Sequence, residues 1–185
     1  MTAMTRRIVS CKVCQAVKHG GIKGSQGRQR LHARRPWQRV AVDLVGPMLE
    51  TSRGNRWKLV LVDHFTRWQD ALVIPDATTP VVAATLDETV FSYMRLPEQI
   101  HTDQGARFES HLMSELCQLW GVDKTRTTPY HPPANGMVER NNKGLGDSLR
   151  PMLLGREQEW DVLLSQLLRA YRGTPHTATG DLLTC

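Results

Sequence analysis

Apolar residues along this chain recur with the two spacings that distinguish strands from helices. Three short runs rich in Val and Leu, at 39–45, 57–62 and 71–74, are followed by Gly, Asp or Pro, which predicts three strands arranged as an antiparallel meander. Two further short runs, at 99–102 and 123–127, predict a fourth and a fifth strand.

Four segments show the 3.6-residue spacing of amphipathic helices. The first begins at Thr79, read as the N-cap, where Pro80 suits the first turn. The second is capped by Ser110 and stopped by Gly121. The residues predicted to face the core from this second helix are Leu112, Leu116 and Leu119. Cys117 is predicted to lie in the core rather than to react.

The third helical segment follows a loop and begins after Gly136. Prolines at 129, 132 and 133 argue against regular structure in that loop. The apolar residues at helical spacing are Val138, Leu145, Leu149, Met152 and Leu153. A fourth helix, at 157–172, carries an apolar stripe for packing in a core or against a partner. The order of elements predicts an α/β fold with a mixed five-stranded sheet and helices on both faces.

The composition is that of one domain with an appendage. Of 185 residues, 40% are hydrophobic, which is sufficient for a buried core. The sequence contains no run of 18 apolar residues and no apolar stretch near its start, so neither a membrane span nor a signal peptide is predicted. Four cysteines are too few for a disulfide framework, which favours a reducing, intracellular location.

Charge is distributed unevenly along the chain. Residues 1–42 hold ten Lys and Arg and no Asp or Glu, whereas residues 43–185 hold 14 basic and 18 acidic side chains. A basic arm on a mildly acidic domain predicts contact with a polyanion such as nucleic acid. The alternative is a tail that its charge keeps solvated.

Residues 1–35 are interpreted as a basic linker that contains half of a zinc site. Cys11 and Cys14 have the spacing of one pair of zinc ligands, and a structural site needs two more. No His precedes Cys11 in this sequence. We therefore expect no stoichiometric zinc unless His19, His32 or a second chain completes the site.

Glu139 lies on the third predicted helix, at the border of its apolar face. It begins a stripe that continues through Lys143, Gly146 and Arg150. Taken alone, this pattern is that of a surface Glu–Lys pair, which stabilises a helix by about 0.2–0.5 kcal/mol.

Two further acids follow apolar strands. Asp43 ends the run VAVD, and Asp103 follows the run QIHT ahead of a glutamine and a glycine. Between Asp43 and Asp103 lie 59 residues, and between Asp103 and Glu139 lie 35. Asp63, which ends another strand, is predicted to be structural, with Arg67 as its candidate partner.

Five segments resemble, in the right order, segments of retroviral and gypsy-type LTR-retrotransposon integrases: VDLVGP, VDHFTRW, HTDQGARF, PYHPPANGMVERNN and AYRGTPHTATG. The acids at 43, 103 and 139 resemble the Asp, Asp, 35 residues, Glu pattern of the integrase catalytic core. The resemblance covers roughly residues 37–180. Five ordered segments make it much more specific than three spaced acids alone.

The resemblance implies an RNase H-like catalytic core over residues 36–180, with the chain truncated at its C-terminus. It implies that Asp43, Asp103 and Glu139 are catalytic and hold two Mg²⁺ or Mn²⁺ ions, with Asp43 bridging both. Hard cations prefer carboxylate oxygens, and a pair of them activates an attacking oxygen while stabilising the leaving one. In the family, Zn²⁺ belongs to a complete N-terminal domain whose His pair lies upstream of the Cys pair.

The candidate DNA-binding residues are Lys143, Asn135, Tyr130, His131, Gln104 and Arg150. Lys143 resembles the lysine with which the family holds element ends, but Gly146 stands where some members carry another lysine. His131 is a weaker candidate for a general base, because a metal-activated water does not need one. Gln104 either orients a phosphate or caps its turn.

The function implied by the resemblance is that of a polynucleotidyl transferase. Such an enzyme trims the 3′ ends of retroelement DNA and joins them to target DNA, in the nucleus and as a homo-oligomer, with no membrane partner. One alternative is a nuclease or a cut-and-paste transposase on the same fold. The other is a domesticated or decayed integrase that only binds nucleic acid or protein.

Overall fold

The computed structural model describes residues 33–126 and 136–174, and within them a single mixed sheet of five strands. The strands are β1 (Arg39–Val45), β2 (Trp57–Asp63), β3 (Gln69–Ile74), β4 (Gln99–Thr102) and β5 (Asp123–Arg126). Their order across the sheet is β3-β2-β1-β4-β5. The first three strands pair antiparallel, whereas β4 runs parallel to both β1 and β5. The predicted mixed five-stranded sheet is confirmed.

Four α-helices in the described ranges connect and cover the strands. They are α1 (Thr79–Thr85), which continues as a π-helical segment (Leu86–Phe91), α2 (His111–Trp120), α3 (Gly136–Leu149) and α4 (Trp160–Arg172). Two 3₁₀ turns, Arg150–Met152 and Glu157–Glu159, lie between α3 and α4. The Ser110 hydroxyl accepts from the Met113 N–H at 3.3 Å, and Gly121 ends α2 with φ +66°, as predicted. The N-cap of α1 is Thr78 rather than the predicted Thr79.

The two faces of the sheet are covered by different helices. We call the first face the one that carries the core of Val40, Val42, Leu59, Leu61 and Ile100. The helices α1 and α2 and the π-helical segment pack against it. The second face carries the core of Ala41, Val60 and Val62, against which α3 and α4 pack. Helices therefore lie on both faces, as the order of elements predicted.

The prediction of which residues of α2 face the core is wrong. Leu112 and Leu119 are 39% and 81% exposed, and the residues that α2 buries are Met113 and Cys117. The helix is therefore rotated by about one residue from the predicted orientation, because the stripe through Met113 and Cys117 fits the first face. The burial of Cys117 confirms its predicted place in the core.

The predicted apolar stripe of α3 holds at Val138, Leu145 and Leu149, which are buried, but not at Met152, which is 36% exposed. The α-helix ends at Leu149 and gives way to a 3₁₀ turn that contains Pro151. A proline disfavours α-helical geometry at the residue before it, so the helical spacing stops there.

Asp63 is a buried structural acid, as predicted. Its carboxylate accepts hydrogen bonds from the Trp37 N–H at 3.2 Å, the Thr66 N–H at 3.0 Å and the Thr66 hydroxyl at 2.7 Å. The backbone N–H of Arg67 donates to the Asp63 carbonyl at 3.1 Å, while a side-chain pairing of the two stays a prediction. No helix in the described ranges is long and apolar enough to cross a membrane.

Candidate active site

Asp43 and Asp103 are placed level with each other by the pairing of two parallel strands. Asp43 lies in β1, and Asp103 directly follows β4. The register pairs Ala41 with His101, so its continuation sets Asp43 opposite Asp103. Neighbouring strands are about 4.8 Å apart, and residues in register point to the same face. Both carboxylates therefore belong to the second face of the sheet, at one edge of its core.

Backbone and side-chain donors hold the two aspartates in place. The Leu44 N–H donates to Asp43 Oδ1 at 2.9 Å, and Asn142 Nδ2 donates to Asp43 Oδ2. The Gly105 N–H donates to Asp103 Oδ1 at 2.9 Å. A Cβ at position 105 would lie 2.9 Å from the same oxygen, so a larger residue there would displace the Asp103 carboxylate from this position.

Helix α3 carries Glu139 and Asn142 to the same region. It is anchored on the second face by Val138 and Leu145, both buried. Asn142 lies one turn after Val138 on the same side of the helix, which explains how its amide reaches Asp43. Glu139 is exposed at the border of that side.

The three acids affect one another electrostatically. Burial raises the pKa of Asp43, and repulsion from Asp103 and from Glu139 raises it further. The hydrogen bonds from Leu44 and Asn142 oppose this pKa shift, because they stabilise the carboxylate. Within the described ranges, no group of three or more His, Cys, Asp and Glu side chains is gathered closely enough to hold a metal ion. The three acids are close enough to interact electrostatically but are not gathered as metal ligands, and Glu139 is exposed at the outer border of the site.

Two polar residues of the site were missed by sequence reasoning. One is Asn142, whose position in a polar stretch of α3 is typical of a helix surface. The other is Lys58, which is 3% exposed in β2. The pKa of Lys58 is lowered by burial, and the negative charge of Asp43 offsets part of this shift. The signal available in the sequence was alternation, because Lys58 shares its side of the strand with Val60 and Val62.

The other predicted site residues are distributed around this centre. Gln104 adjoins Asp103 and is exposed, as is Lys143 on α3. Arg150 is exposed just after α3 and pairs with Asp147 at 3.5 Å. The ion pairs of the described residues do not include one between Glu139 and Lys143, so the surface-pair alternative gains no support.

Five predicted residues lie outside the described ranges: Tyr130, His131, Asn135, Cys11 and Cys14. The predicted DNA contacts of the first three and the incomplete zinc site of the two cysteines stay predictions.

Residues 33–132 match the model of the integrase core domain family, which is more than half of the chain. The Gag-Pol polyprotein of baboon endogenous virus (strain M7) is 30% identical over 168 residues, which cover 90% of this chain and 10% of that polyprotein. The Pol polyprotein of radiation murine leukemia virus (strain Kaplan) is 31% identical over 169 residues, or 90% of this chain and 28% of that protein. The chain thus spans only a small part of these polyproteins.

Solved integrase cores share the fold of this chain. The catalytic core domain of BIV integrase is 25% identical with a TM-score of 0.60, and the match covers 76% of this chain and 86% of that one. The HTLV-2 integrase catalytic core, solved with magnesium in a trimeric form, has a TM-score of 0.64 at 19% identity, over 82% and 96% of the two chains. The predicted RNase H-like fold is confirmed.

Proposed function

This chain belongs to the integrase core domain family, and we propose that it is a polynucleotidyl transferase that trims the 3′ ends of retroelement DNA and joins them to target DNA. The observation that carries the proposal is the alignment of Asp43 with Asp103 beneath the helix that bears Glu139. Burial raises the pKa of Asp43, and repulsion from the carboxylates of Asp103 and Glu139 raises it further. Such a cluster is costly unless cations are drawn to it.

The donor set suits Mg²⁺ or Mn²⁺. Asp43, Asp103 and Glu139 offer only hard carboxylate oxygens, which these ions prefer. When bound, a pair of divalent ions supplies positive charge for the attacking and leaving oxygens of a phosphodiester. Asp43 is suited to the central position, because β1 and two hydrogen bonds fix its carboxylate. Glu139, exposed on α3, would close the site from the outer side.

The proposed chemistry consists of two displacements at phosphorus. In the first, a water oxygen attacks a phosphodiester near the element end and the 3′ oxygen leaves, taking up a proton as a free 3′-OH. In the second, that 3′ oxygen attacks a target phosphodiester, and a target 3′ oxygen leaves with the proton. One phosphodiester forms for each that breaks in the second step, so no energy source is required.

DNA is the proposed partner of the basic arm and of the surface around the acids. Residues 1–42 carry ten basic side chains and no acidic ones, and the arm would neutralise phosphates that the carboxylates repel. The local contacts we propose are Lys143, Gln104, Arg150, Tyr130, His131 and Asn135. Chromosomal DNA as the target places the proposed reaction in the nucleus.

We also propose that the chain forms a homo-oligomer. The exposed leucines at 112 and 119 extend an apolar strip along the outer side of α2, where a second copy would cover them. Light scattering of the wild-type protein and of Leu119→Ser tests this, since loss of the oligomer in the variant is expected. A wild-type monomer at micromolar concentration would contradict it.

A strand-transfer assay tests the proposed activity. The full chain is incubated with a duplex oligonucleotide that has a recessed 3′ end, a supercoiled plasmid and Mg²⁺ or Mn²⁺. We expect oligonucleotide joined to plasmid, no product with chelator, and none with Asp103→Asn. DNA binding without joining in either metal would instead support the binding-only alternative.

A further inference from the structure

Lys58 is a buried cation whose position needs an explanation. It is 3% exposed, although lysine is among the side chains least often buried. No described residue forms an ion pair with it. The Lys58 ammonium nitrogen is not among the fully buried polar atoms of the described residues that lack a partner, so the stem is packed while the charged end keeps some contact with solvent. What a lysine adds at this position, compared with a leucine or methionine, is a positive charge.

Lys58 lies diagonally across from Asp43 on the second face of the sheet. The antiparallel register pairs Asp43 with Val60 and Val45 with Lys58. Alternation along β2 places Lys58 on the same face as Val60, and diagonal neighbours on one face are about 7–8 Å apart, within reach of a long side chain. Asp43 is also the charged group that acts on Lys58 electrostatically.

The charge of Lys58 changes the balance of the acid cluster. Three ionised carboxylates carry three negative charges, and Lys58 reduces the total by one. One divalent cation then neutralises the remainder, whereas a second leaves an excess of positive charge that only an anion can offset. The phosphates of bound DNA are such anions.

We propose that Lys58 is a positioning residue whose fixed positive charge, acting through Asp43, weakens divalent-metal binding by the DNA-free protein and makes full metal occupancy depend on bound phosphate. This inference rests on the proposed function of the three acids. It assigns to Lys58 no contact with the reacting atoms. Its effect is electrostatic and is therefore carried by the charge rather than by the length of the side chain.

The matched variants are Lys58→Met, which keeps the length and removes the charge, and Lys58→Arg, which keeps the charge. Mn²⁺ binding to the DNA-free protein is measured by electron paramagnetic resonance of the free ion. We expect Lys58→Met to bind Mn²⁺ at least about fivefold more tightly, which is the effect, in bulk water, of removing a unit charge about 8 Å from a divalent ion. Lys58→Arg is expected to stay within about twofold of wild type.

A second measurement separates this role from a structural one. With a non-cleavable duplex present, wild type and Lys58→Met are expected to have more similar Mn²⁺ affinities. The reason is that the DNA phosphates supply negative charge that offsets the positive charge of Lys58. Unchanged or weaker Mn²⁺ binding by Lys58→Met would overturn the proposal, as would a loss of DNA affinity at constant metal affinity. If Lys58→Met does not fold, Lys58→Gln takes its place with the same expected outcomes.

The outcome is independent of catalysis. Wild-type protein that binds Mn²⁺ but fails in strand transfer would contradict the proposed function and leave this comparison intact. Wild-type protein that joins DNA while Lys58→Met binds Mn²⁺ no more tightly would contradict only the role of Lys58.

Discussion

The two faces of the sheet are built from the same strands but differ in chemistry. The first face is mostly apolar along β1, β2 and β4, and the polar residues that it buries there include Thr102 and Asp63. The Asp63 carboxylate accepts hydrogen bonds from Trp37 and Thr66. The second face has a smaller apolar centre that polar side chains interrupt. Those of β1, β2 and the β4 segment include Asp43, Lys58, His101 and Asp103.

This difference separates stability from function within single strands. In β1, Val42 packs into the first core while its neighbour Asp43 is half-buried among other charges. Burial and like charge raise the pKa of Asp43, so its ionised form is held at a cost in folding free energy. An arrangement that is costly without a ligand is typical of a functional site.

The largest expected effect is that of Asp43→Asn on the second face. Strand transfer should fall by about a thousandfold, because the substitution removes the charge on which the proposed metal binding depends. Metal-free stability at neutral pH should stay the same or rise, since a raised folded-state pKa means that ionised Asp43 destabilises the fold. Stability gained by protonating Asp43 is present at low pH and lost as the pH rises through its folded-state pKa. The gain in melting temperature of the variant should therefore shrink as the pH is lowered towards 4.

On the first face, truncation should affect stability alone. Met113→Ala removes a fully buried side chain of α2 and should cost about 2–5 kcal/mol of unfolding free energy. Leu119→Ala, on the exposed side of the same helix, should change it by less than about 0.5 kcal/mol under conditions in which the protein is monomeric. Urea denaturation measures both, and equal losses would mean that α2 packs through its leucine stripe.

The histidines beside the second face should make the fold sensitive to acid. Burial, with the nearby charge of Arg39, lowers the pKa of His64 and of His101 to about 4. Since these pKa values lie below those of the unfolded chain, the stabilisation is present above about pH 6.5 and is lost as the pH falls towards 4. The loss should be on the order of 3 kcal/mol for each histidine. Unfolding free energies from pH 7.5 to 4.5 measure it, and His64→Gln should flatten the profile.

A smaller effect is expected at Asn142. Replacing it with alanine removes the donor to Asp43 Oδ2 without removing a carboxylate. Activity should fall by about tenfold, as is typical for loss of a partner that orients a ligand. Asn141→Ala, one residue away, is the control, and an equal loss in both variants would point to a general disturbance of α3.

Local patterns were sufficient to predict the strands, because β1 and β4 have the bounds that their apolar runs indicated. The caps of α2 were readable for a similar reason, since Ser110 and Gly121 act on adjacent backbone. The side of α2 that faces the core could not be predicted in this way. Its leucine stripe and the stripe through Met113 and Cys117 are one residue apart, and packing against the sheet decides which of them is buried.

The acids of the site were predicted from spacing and resemblance, but their supports were not. The donation from Asn142 to Asp43 joins residues 99 positions apart, and nothing local distinguishes Asn142 from a surface residue of α3. Lys58 was missed because a single lysine near the start of a strand is usually exposed. Its burial depends on the cover that α3 and α4 give the second face.

The most direct test of the central claim is the strand-transfer activity of Glu139→Gln, measured beside its DNA affinity. Glu139 is exposed, so this substitution leaves the fold unchanged. Glu115→Gln, an exposed glutamate of α2 on the other face, is the matched control. If the three acids act together, Glu139→Gln loses Mg²⁺-dependent joining by at least about a hundredfold with DNA affinity unchanged or slightly higher, and Glu115→Gln keeps both. Full activity in Glu139→Gln would contradict the account.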